Sequence, residues 1–477
     1  MIRASGAIGA SPRRVSPPKG FAWDFETFPV NVFDSGKRYF KTDLDPKSKI
    51  PADIWNGPQY WVSHDGSDEN SGLARKTPVA SAWKARELAE NNPDAAKGYS
   101  INVVPDPSTG LIFLDREGDF NDSANLSGKG SGQTSDRPFA LACHGGRLVM
   151  GPCALFSYTL ADTASNTWSA NTGGSEVAAI YNVSGPGPFG VYARIPRMLN
   201  GVANDATALA AVQSAPGDAW AQAPGSGLLY VRLGNGTQVS NSSISVANNA
   251  YGLRLGSGDV YLSGIELVGG CIGSGAVDAS RVASRTLVFE DVGAWGAGAA
   301  GREAIPAFGL DNMTGLAVLH RCYGYDALGD IFNFKGSEGQ LHTLMIDCWG
   351  IDAGHAGAIP ISYGNSVVHA SDTARLITLN TQASYSAGGC TRVSGDAQQW
   401  DLGSIYAYDR GDQWLGNEGI APPTGVRVDD DARYWGQDIT VAGCEVSFTA
   451  KTSASIRLRS AIEIGGKCDK PDAIGEF

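Results

Sequence analysis

Short apolar segments recur through the second half of the chain, and glycine-rich turns separate them. Five of these segments align residue by residue and lie at 289–292, 319–322, 345–348, 378–381 and 404–407. Their last residues follow one another after 30, 26, 33 and 26 positions. Repeats of about 20–50 residues are typical of solenoids, propellers and arrays of small units.

A second series of strand-like segments follows the first at matching offsets, at 304–310, 329–335, 359–365 and 389–394. Alternation along each strand directs every second side chain inward. Because almost no helical periodicity lies between the segments, the pattern predicts a parallel β-helix, in which each coil packs on its neighbours. Equal positions then stack, which predicts an inward column of Val292, Cys322, Cys348, Thr381 and Ala407, and an outward row of Asp291, Arg321, Asp347 and Asn380.

The same pattern divides the chain into five parts. Residues 1–57 contain a basic, proline-rich stretch at 11–19 and an aromatic stretch at 21–28, with no alternating partner segment. We expect this extended segment either to lie as a strap along the body or to dock on a larger assembly. The other parts are an N-terminal cap with the first coils, an irregular insertion, the regular coils and a C-terminal cap, at 58–150, 151–243, 244–449 and 450–477.

Composition narrows the classes of function. Charged residues make up 18% of the chain and the net charge is −12. This balance argues against nucleic-acid binding, which needs basic surfaces. No apolar run reaches the roughly 18 residues of a membrane-spanning helix, so no membrane insertion is expected. Residues 1–18 lack the apolar stretch of a secretion signal, so we expect no Sec-type signal peptide.

The eight cysteines are scattered and include no CxxC pair, so the sequence predicts neither a metal site nor a cofactor. Most of them occupy apolar positions of the repeats, which indicates buried free thiols. The sequence also lacks a P-loop, a GxSxG motif and an HExxH motif. Any chemistry must therefore come from side chains that the fold brings together.

Acidic residues recur at one offset in two successive repeats. Asp326 and Asp352 each lie four residues after the aligned cysteine of their repeat. If the repeats are in register, the two carboxylates lie one coil, about 4.8 Å, apart. Carboxyl groups about 5–10 Å apart can act as acid and base, or acid and nucleophile, on a glycosidic bond. Asp330 and His355 would assist them. Alternatively, both aspartates cap turns by accepting backbone N–H groups.

Aromatic residues cluster in the same half of the chain. At outward strand positions or in loops, their flat apolar faces would contact sugar rings. The low basic charge favours a neutral or amine-bearing glycan over a strongly anionic one. The residues that we expect to bind substrate are Tyr325, Trp349, Tyr363, Tyr385, Arg321 and Asp347.

The first part of the chain carries the motifs of a known superfamily. A strand is followed by an Asp-Gly-Ser-Asp turn at 65–68, a Ser-Gly pair at 71–72 and a helical segment at 77–89. This order resembles the N-terminal end of right-handed β-helix proteins of the pectate-lyase-like superfamily, in which a short helix caps the open coil. The segment at 134–147 looks like the first coils of such proteins.

Two later units, at 326–335 and 362–372, are similar to the β-helices of phage tailspike and tail-fibre proteins. The whole resemblance covers about residues 58–450 and implies an all-β, right-handed parallel β-helix with a short N-terminal capping helix. It also implies a homotrimer in the virion tail that acts outside the cell on a bacterial surface glycan. Residues 1–57 would then contact other tail proteins.

The expected function is therefore that of a tailspike-like protein that binds a bacterial surface polysaccharide and hydrolyses it as a glycoside hydrolase. The motifs are specific for the fold and weak for the reaction, so two alternatives stay open. One is a non-catalytic tail protein or adhesin with the same fold. The other is a polysaccharide lyase.

Overall fold

The computed structural model describes most of the chain. The described residues are 12–105, 113–114, 136–150, 153–154, 156–174, 176–184, 193–198, 202–248, 251–270, 272–279, 284–298, 305–336, 339–354, 365–409, 422–465, 467–469 and 474–475.

The chain winds into a parallel β-helix, as the repeat pattern predicts. Successive coils add strands to three stacks of parallel strands, which we name the first, second and third faces. The first face consists of Gln59–Ser63, Tyr99–Val104, Phe139–Cys143, Val260–Ser263, Ser284–Glu290, Thr314–His320, Leu341–Ile346, Arg375–Leu379, Gln398–Leu402, Arg433–Ala442, Ser455–Ile464 and Ile474–Gly475.

The two remaining faces have shorter strands. The second face consists of Phe113–Leu114, Leu148–Met150, Ile265–Val268, Gly293–Trp295, Tyr323–Ala327, Trp349–Ala353, Gln382–Ser384 and Ile405–Ala407, and the long strand Arg433–Ala442 continues into it. The third face consists of Tyr251–Arg254, Ile272–Asp278, Phe308–Asp311, Phe332–Lys335, Val368–Ser371, Thr391–Val393, Thr424–Val428, Val446–Ala450 and Lys467–Asp469.

Other elements decorate this solenoid. The α-helices are Ala52–Asn56, Ala82–Asn91 and Asp205–Gln213, and the 3-10 helices are Pro46–Lys49 and Pro93–Ala95. The strands Arg13–Val15, Val32–Asp34 and Phe40–Thr42 form an antiparallel sheet. Two further antiparallel sheets contain Cys153–Ala154, Tyr158–Asp162, Thr167–Asn171, Val177–Asn182, Ala193–Arg194, Ala219–Gln222, Leu228–Arg232 and Ile244–Asn248.

Residues with positive φ mark the corners between faces. The first corner column, between the first and second faces, contains Gly264, Asp291, Arg321, Asp347, Asn380, Gly403 and Asp438. The second corner column, between the second and third faces, contains Gly269, Gly296, Asp326, Asp352, Tyr385, Tyr408 and Gly443. Aspartate and asparagine enter this left-handed region more readily than most side chains. Their recurrence at one offset is therefore a requirement of the backbone.

Strand pairing tests the predicted inward column. The flanking pairs set Cys322 on Cys348, as expected, and both thiols are buried and free. The predicted last position of the column, Ala407, is wrong. Ser404 lies next to Thr381, whose N–H donates to Ser404 Oγ over 3.2 Å. Ala407 lies three residues farther along the coil. The sequence alignment matched the apolar residue at the end of one segment with that at the end of the next. It overlooked the left-handed corner that sets the register.

Helix Ala82–Asn91 packs beside the first strands of the first face. Ser81 Oγ accepts a hydrogen bond from the Lys84 N–H and caps the helix. Its buried alanines share a core with Tyr60 from the strand Gln59–Ser63. Among the helices of the described residues, none has the length and apolar character needed to cross a membrane.

Residues 12–57 form a strap on the outside of the first face. Phe21 packs edge-to-face on Trp400 and Trp435, with ring centroids 6.0 and 5.7 Å apart. The strap covers an outward apolar row, which we name the apolar stripe: Tyr261, Val288, Val318, Leu344, Ile377, Trp400 and Trp435.

Polar contacts also hold the strap on the body, among them bonds from its aromatic stretch and from the strand Phe40–Thr42. The Ala22 N–H donates to Gln398 Oε1 over 2.7 Å. Farther along, the Phe40 N–H donates to Asn380 Oδ1 and Asn380 Nδ2 donates back to the Phe40 carbonyl, over 2.9 and 2.8 Å. The sequence left two interpretations of this segment open, a strap along the body or a docking segment. Residues 12–57 pack as a strap.

One carboxyl group lies inside the solenoid. Asp401 is fully buried and accepts hydrogen bonds from Thr378 Oγ1 and the Tyr434 hydroxyl, each over 2.6 Å. The Ser404 and Tyr406 hydroxyls also donate to it. Burial raises the pKa of Asp401. Because four hydroxyl groups satisfy its oxygens, this acid is a structural part of the core.

Candidate functional site

The structure places Asp326 under the insertion. Its side chain is only 5% exposed. Arg194 Nη1 donates to Asp326 Oδ1 over 2.9 Å, and the Tyr181 hydroxyl donates to Oδ2. Both partners belong to the antiparallel sheets of the insertion. Asp326 therefore anchors the insertion to the solenoid, and its contacts do not support the acid–base role that we expected from sequence.

Asp352 follows Asp326 by one coil, as the repeat spacing predicts. The register pairs Tyr325 with Ile351 and Ala327 with Ala353, so the two aspartates lie side by side in the second corner column. Their φ angles are +54° and +67°. The offset that singled them out is thus the offset of a left-handed corner.

Of the two residues that we expected to assist the aspartates, the structure describes Asp330 but not His355. Asp330 lies at the start of a third-face strand, where its Oδ1 accepts from the Ser366 N–H over 2.7 Å. Its Oδ2 lies 3.1 Å from His369 Nδ1. His355 lies outside the described residues, as does the predicted binding residue Tyr363.

The other predicted binding residues separate into two groups. Tyr325 stacks on Trp295 with centroids 5.4 Å apart and is buried. Trp349 and Tyr385 are half-buried on the second face and its corner. Arg321 and Asp347 lie at the opposite edge, in the first corner column. The structure therefore does not bring the six residues into one binding surface.

Arg321 and Asp347, which lie in the first corner column, already have partners. Arg321 forms a two-pronged ion pair with Asp291, at 2.8 and 2.7 Å. Asp347 accepts from the Tyr39 hydroxyl of the strap over 2.9 Å and from Asn380 over 2.8 Å. These contacts tie neighbouring coils and the strap together.

Aromatic stacking continues along the second face. Tyr323 and Trp349 stack at 4.9 Å, and both are partly exposed. Tyr385 and Tyr408 stack at 5.7 Å in the second corner column, next to the third face. Tyr408 is 55% exposed. Such pairs offer flat apolar surfaces of the kind that contact sugar rings.

The third face holds a carboxyl group that the sequence analysis missed. Asp311 ends the strand Phe308–Asp311, in which Phe308 and Leu310 point into the core. Burial raises the pKa of Asp311 to about 7. Its Oδ1 is buried and has no hydrogen-bond partner among the described residues. The side chain as a whole keeps some exposure to solvent.

Charged neighbours surround Asp311. The Lys335 and His369 side chains lower its pKa, and the carboxylates of Asp278 and Asp330 raise it, but burial has the largest effect. Lys335 pairs with Asp311 in the strand register. Asp278 is held by Arg254, with 3.0 Å between Oδ2 and Nε. We name Asp278, Asp311, Asp330, Lys335 and His369 the third-face acid cluster.

This cluster has the parts of an acid–base site. A carboxyl group that keeps its proton near neutral pH can act as a general acid, and a neighbouring ionised carboxylate can act as base or nucleophile. The second predicted series of segments stopped at Leu310, one residue before Asp311. Alternation could have placed Asp311 on the outside, but its burial depends on adjacent coils.

Glu266 is a further acid whose pKa is raised, and burial is the largest cause. The Trp295 Nε1–H donates to Glu266 Oε1 over 2.9 Å. The ring of Tyr323 lies nearby, with the Arg147 guanidinium 5.0 Å from its centroid. Glu266 is enclosed by these side chains, so we assign it to packing of the second face. Within the described ranges, no group of His, Cys, Asp and Glu is arranged to hold a metal ion.

No family model matches the chain, and no curated protein matches it. Solved structures with a similar chain path include XylC in complex with xylose, at 11% identity and a TM-score of 0.46, covering 85% of this chain and 69% of that one. A glycoside hydrolase aligns at 8% identity and a TM-score of 0.40, over 86% of this chain and 96% of its own.

A rhamnogalacturonan lyase aligns at 9% identity and a TM-score of 0.33, covering 84% of this chain and 74% of that one. None of these three structures is described as a phage tail protein. With similarity this low, the function has to be argued from the third-face acid cluster itself.

Proposed function

We propose that the protein binds a polysaccharide and hydrolyses its glycosidic bonds at the third-face acid cluster. The observation that supports this most directly is Asp311, whose buried Oδ1 has no partner among the described residues. Its pKa of about 7 keeps the proton available near neutral pH. A buried polar atom normally finds a partner, so an exception needs an explanation. The neutral, protonated form is the state that such a buried site tolerates best, and the exposed part of the side chain leaves the carboxyl group within reach of a substrate.

In this proposal Asp311 protonates the glycosidic oxygen as the bond from that oxygen to the anomeric carbon breaks. Asp330 removes a proton from the attacking water, whose hydroxyl group bonds to the anomeric carbon. The Ser366 N–H and His369 orient the Asp330 carboxylate. After product release, Asp330 gives its proton to solvent and Asp311 regains one from solvent.

Binding of the sugar chain would extend to the neighbouring aromatic pair. Tyr385 and Tyr408 stack in the corner that borders the third face. The ring of Tyr408 is 55% exposed and offers a flat apolar face on which a sugar ring can pack. A polysaccharide passing from the acid cluster to this corner would thus contact both charged and flat apolar groups.

We also propose the finer role of a tailspike-like virion protein that acts outside the cell on a bacterial surface glycan, as a homotrimer. This rests on the sequence resemblance at 326–335 and 362–372 alone. Because the strap packs its aromatic side on the body, contact with other tail proteins through residues 1–57 would use its outward side.

A non-catalytic glycan-binding protein is the second candidate. The stacked pair of Tyr385 and the exposed Tyr408 favours it, because sugar binding needs no acid. A lyase would also act on a polysaccharide, but it would leave unsaturated uronates instead of new reducing ends alone. Products therefore separate all three functions.

The experiment compares Asp311→Asn and Asp330→Asn with wild type on capsule and lipopolysaccharide preparations. We expect each variant to lower the rate of reducing-end release by about 10²–10⁴-fold, because each removes a general acid or base. Binding of the same glycan should change little. Ultraviolet absorbance of unsaturated uronates is recorded in parallel.

Asp430→Asn is the matched control. Asp430 follows a third-face strand outside the acid cluster, is exposed and occupies a left-handed corner that asparagine tolerates. The control should keep wild-type activity. Wild-type activity in both Asp311→Asn and Asp330→Asn would rule out this site, and binding without cleavage in wild type would favour the second candidate.

A further inference from the structure

A basic groove lies between the start of the strap and the last long strand of the first face. Its volume is about 570 Å³, within the roughly 300–1,000 Å³ of ligand sites. One acidic side chain, Asp34, lines it among the described residues. The basic residues of the groove are Arg13, Arg14, Lys19, Arg457 and Arg459.

The fold explains why the groove opens at this place. On the preceding coil, Phe21 of the strap covers Trp435. Arg457 is the register partner of Trp435 on the next coil. The strap turns at Lys19 and Gly20, where the Phe21 N–H donates to the Pro18 carbonyl over 3.2 Å, and Pro17 and Pro18 lie just before this turn. The outward row that is apolar under the strap thus becomes basic where the cover ends.

Strand alternation gives the groove one wall. Ile456 points into the core, and Leu458 packs against it. Arg457 therefore points outward. Arg459 lies at an irregularity in the pairing with the preceding strand, and both side chains are exposed. The other wall is the strap, where Arg13 and Arg14 are also exposed.

The charge of the groove is opposite to that of the whole molecule. The chain carries a net charge of −12. Within the described part of the chain, no carboxylate forms an ion pair with Arg13, Arg14, Lys19 or Arg457. Like charges held together repel, and an anionic ligand relieves this repulsion. Arginine in particular matches the two oxygens of a carboxylate.

We propose that this groove binds an acidic glycan segment whose sugars carry carboxylates, as uronates do. The inference rests on the proposed function and adds to it the charge of the substrate. Several cations along two walls suit a chain with repeated charges better than a single small anion. The low overall basicity had favoured a neutral glycan, but the local charge of the groove outweighs the average at the binding surface.

Titration calorimetry with the full chain tests the groove. Asp311→Asn serves as background so that no ligand is cleaved, and the ligands are oligogalacturonides and neutral xylo-oligosaccharides of equal length. We expect tighter binding of the uronates, weakened by added salt. Arg457→Gln with Arg459→Gln should lower uronate affinity at least about tenfold, since each loses charge-assisted hydrogen bonds.

Two variants keep the test specific. Arg13→Gln with Arg14→Gln changes the opposite wall and should have a similar effect. Lys97→Gln removes an exposed charge elsewhere and should leave affinity unchanged. Circular dichroism and thermal melts confirm that each variant is folded.

Three outcomes would overturn the proposal. They are unchanged uronate binding in both arginine double variants, equal binding of neutral and acidic oligosaccharides, and equally tight binding of single-stranded DNA at the same salt. The last would make the groove a general polyanion surface. Cleavage assays on wild type are scored separately, so uronate binding without hydrolysis would leave the groove valid and refute only the catalytic proposal.

Discussion

Asp291, Asp326 and Asp352 all occupy left-handed corners, where a short polar side chain tolerates positive φ. Their positions in the sequence indicate where the backbone turns, because every coil needs such a corner. They do not indicate what each carboxylate touches. Asp326 meets Arg194, which lies 132 residues earlier in the insertion. No local pattern encodes that contact, so the sequence could place Asp326 in the coil but not identify its role.

Asp311 shows the opposite case. Its outward position follows from alternation with Phe308 and Leu310. Its unusual pKa comes from burial and from charges on neighbouring coils, including Asp278 and Asp330. These residues lie roughly 20–30 positions away in sequence, so only stacking of the coils brings them together. A sequence repeat predicts stacking but not the depth of burial.

Asp326→Asn should destabilise the protein by about 3–5 kcal/mol, because the partly buried Arg194 loses its charged partner. Chemical denaturation measures the change. Asparagine keeps the left-handed corner, so backbone strain does not contribute. Asp352→Asn, at the equivalent corner one coil away, is the control and should cost less. Equal losses in both variants would show that the corner, and not the ion pair, carries the effect.

Asp311 should make stability depend on pH. Its pKa rises from an ordinary 3.8 to about 7, so the folded protein binds this proton more tightly than the unfolded chain does. The contribution is complete below about pH 4 and is lost as pH rises to about 7, amounting to a few kcal/mol at most. Denaturation curves across this range should fall less for Asp311→Asn than for wild type. Parallel curves would contradict the assignment.

The strap and the corners show what single elements reveal. The aromatic stretch at 21–28 has no alternating partner of its own, which predicted an extended segment but not the surface that it covers. The apolar stripe belongs to strands whose inward residues are apolar as well, so their sequences read as buried on both sides. The sequence therefore contained a signal for the strap, because a solenoid face with apolar outward side chains must be covered.

Phe21→Ala should remove the contacts to Trp400 and Trp435 and destabilise the protein by about 3–5 kcal/mol, as is usual for a buried aromatic ring. Tryptophan fluorescence during denaturation reports the change directly. Tyr39→Phe, which removes one exposed hydroxyl bond of the same strap, is the control. If Phe21→Ala unfolds like the control, the strap contributes little to stability.

The whole molecule follows from its repeat more fully than its details do. Each coil pairs with the coils next to it, so a periodic pattern is sufficient to predict the parallel β-helix. Charge behaves differently at this scale. The net charge of −12 describes the average surface, while the basic groove concentrates five cations at one end of the strap. An average cannot reveal such a local reversal.

The strap residues are synthesised early but can complete their packing only after the late coils have been synthesised. Ala22 bonds to Gln398, 376 residues later, and Phe21 needs Trp435 to complete its packing. At about 5–20 residues per second of synthesis, these aromatic residues wait roughly 20–75 s for their partners. Only a chain whose late coils have formed can bury them. A chain that lacks the coil of Trp435 therefore leaves Phe21 uncovered, and closure of the strap marks the formation of the late coils.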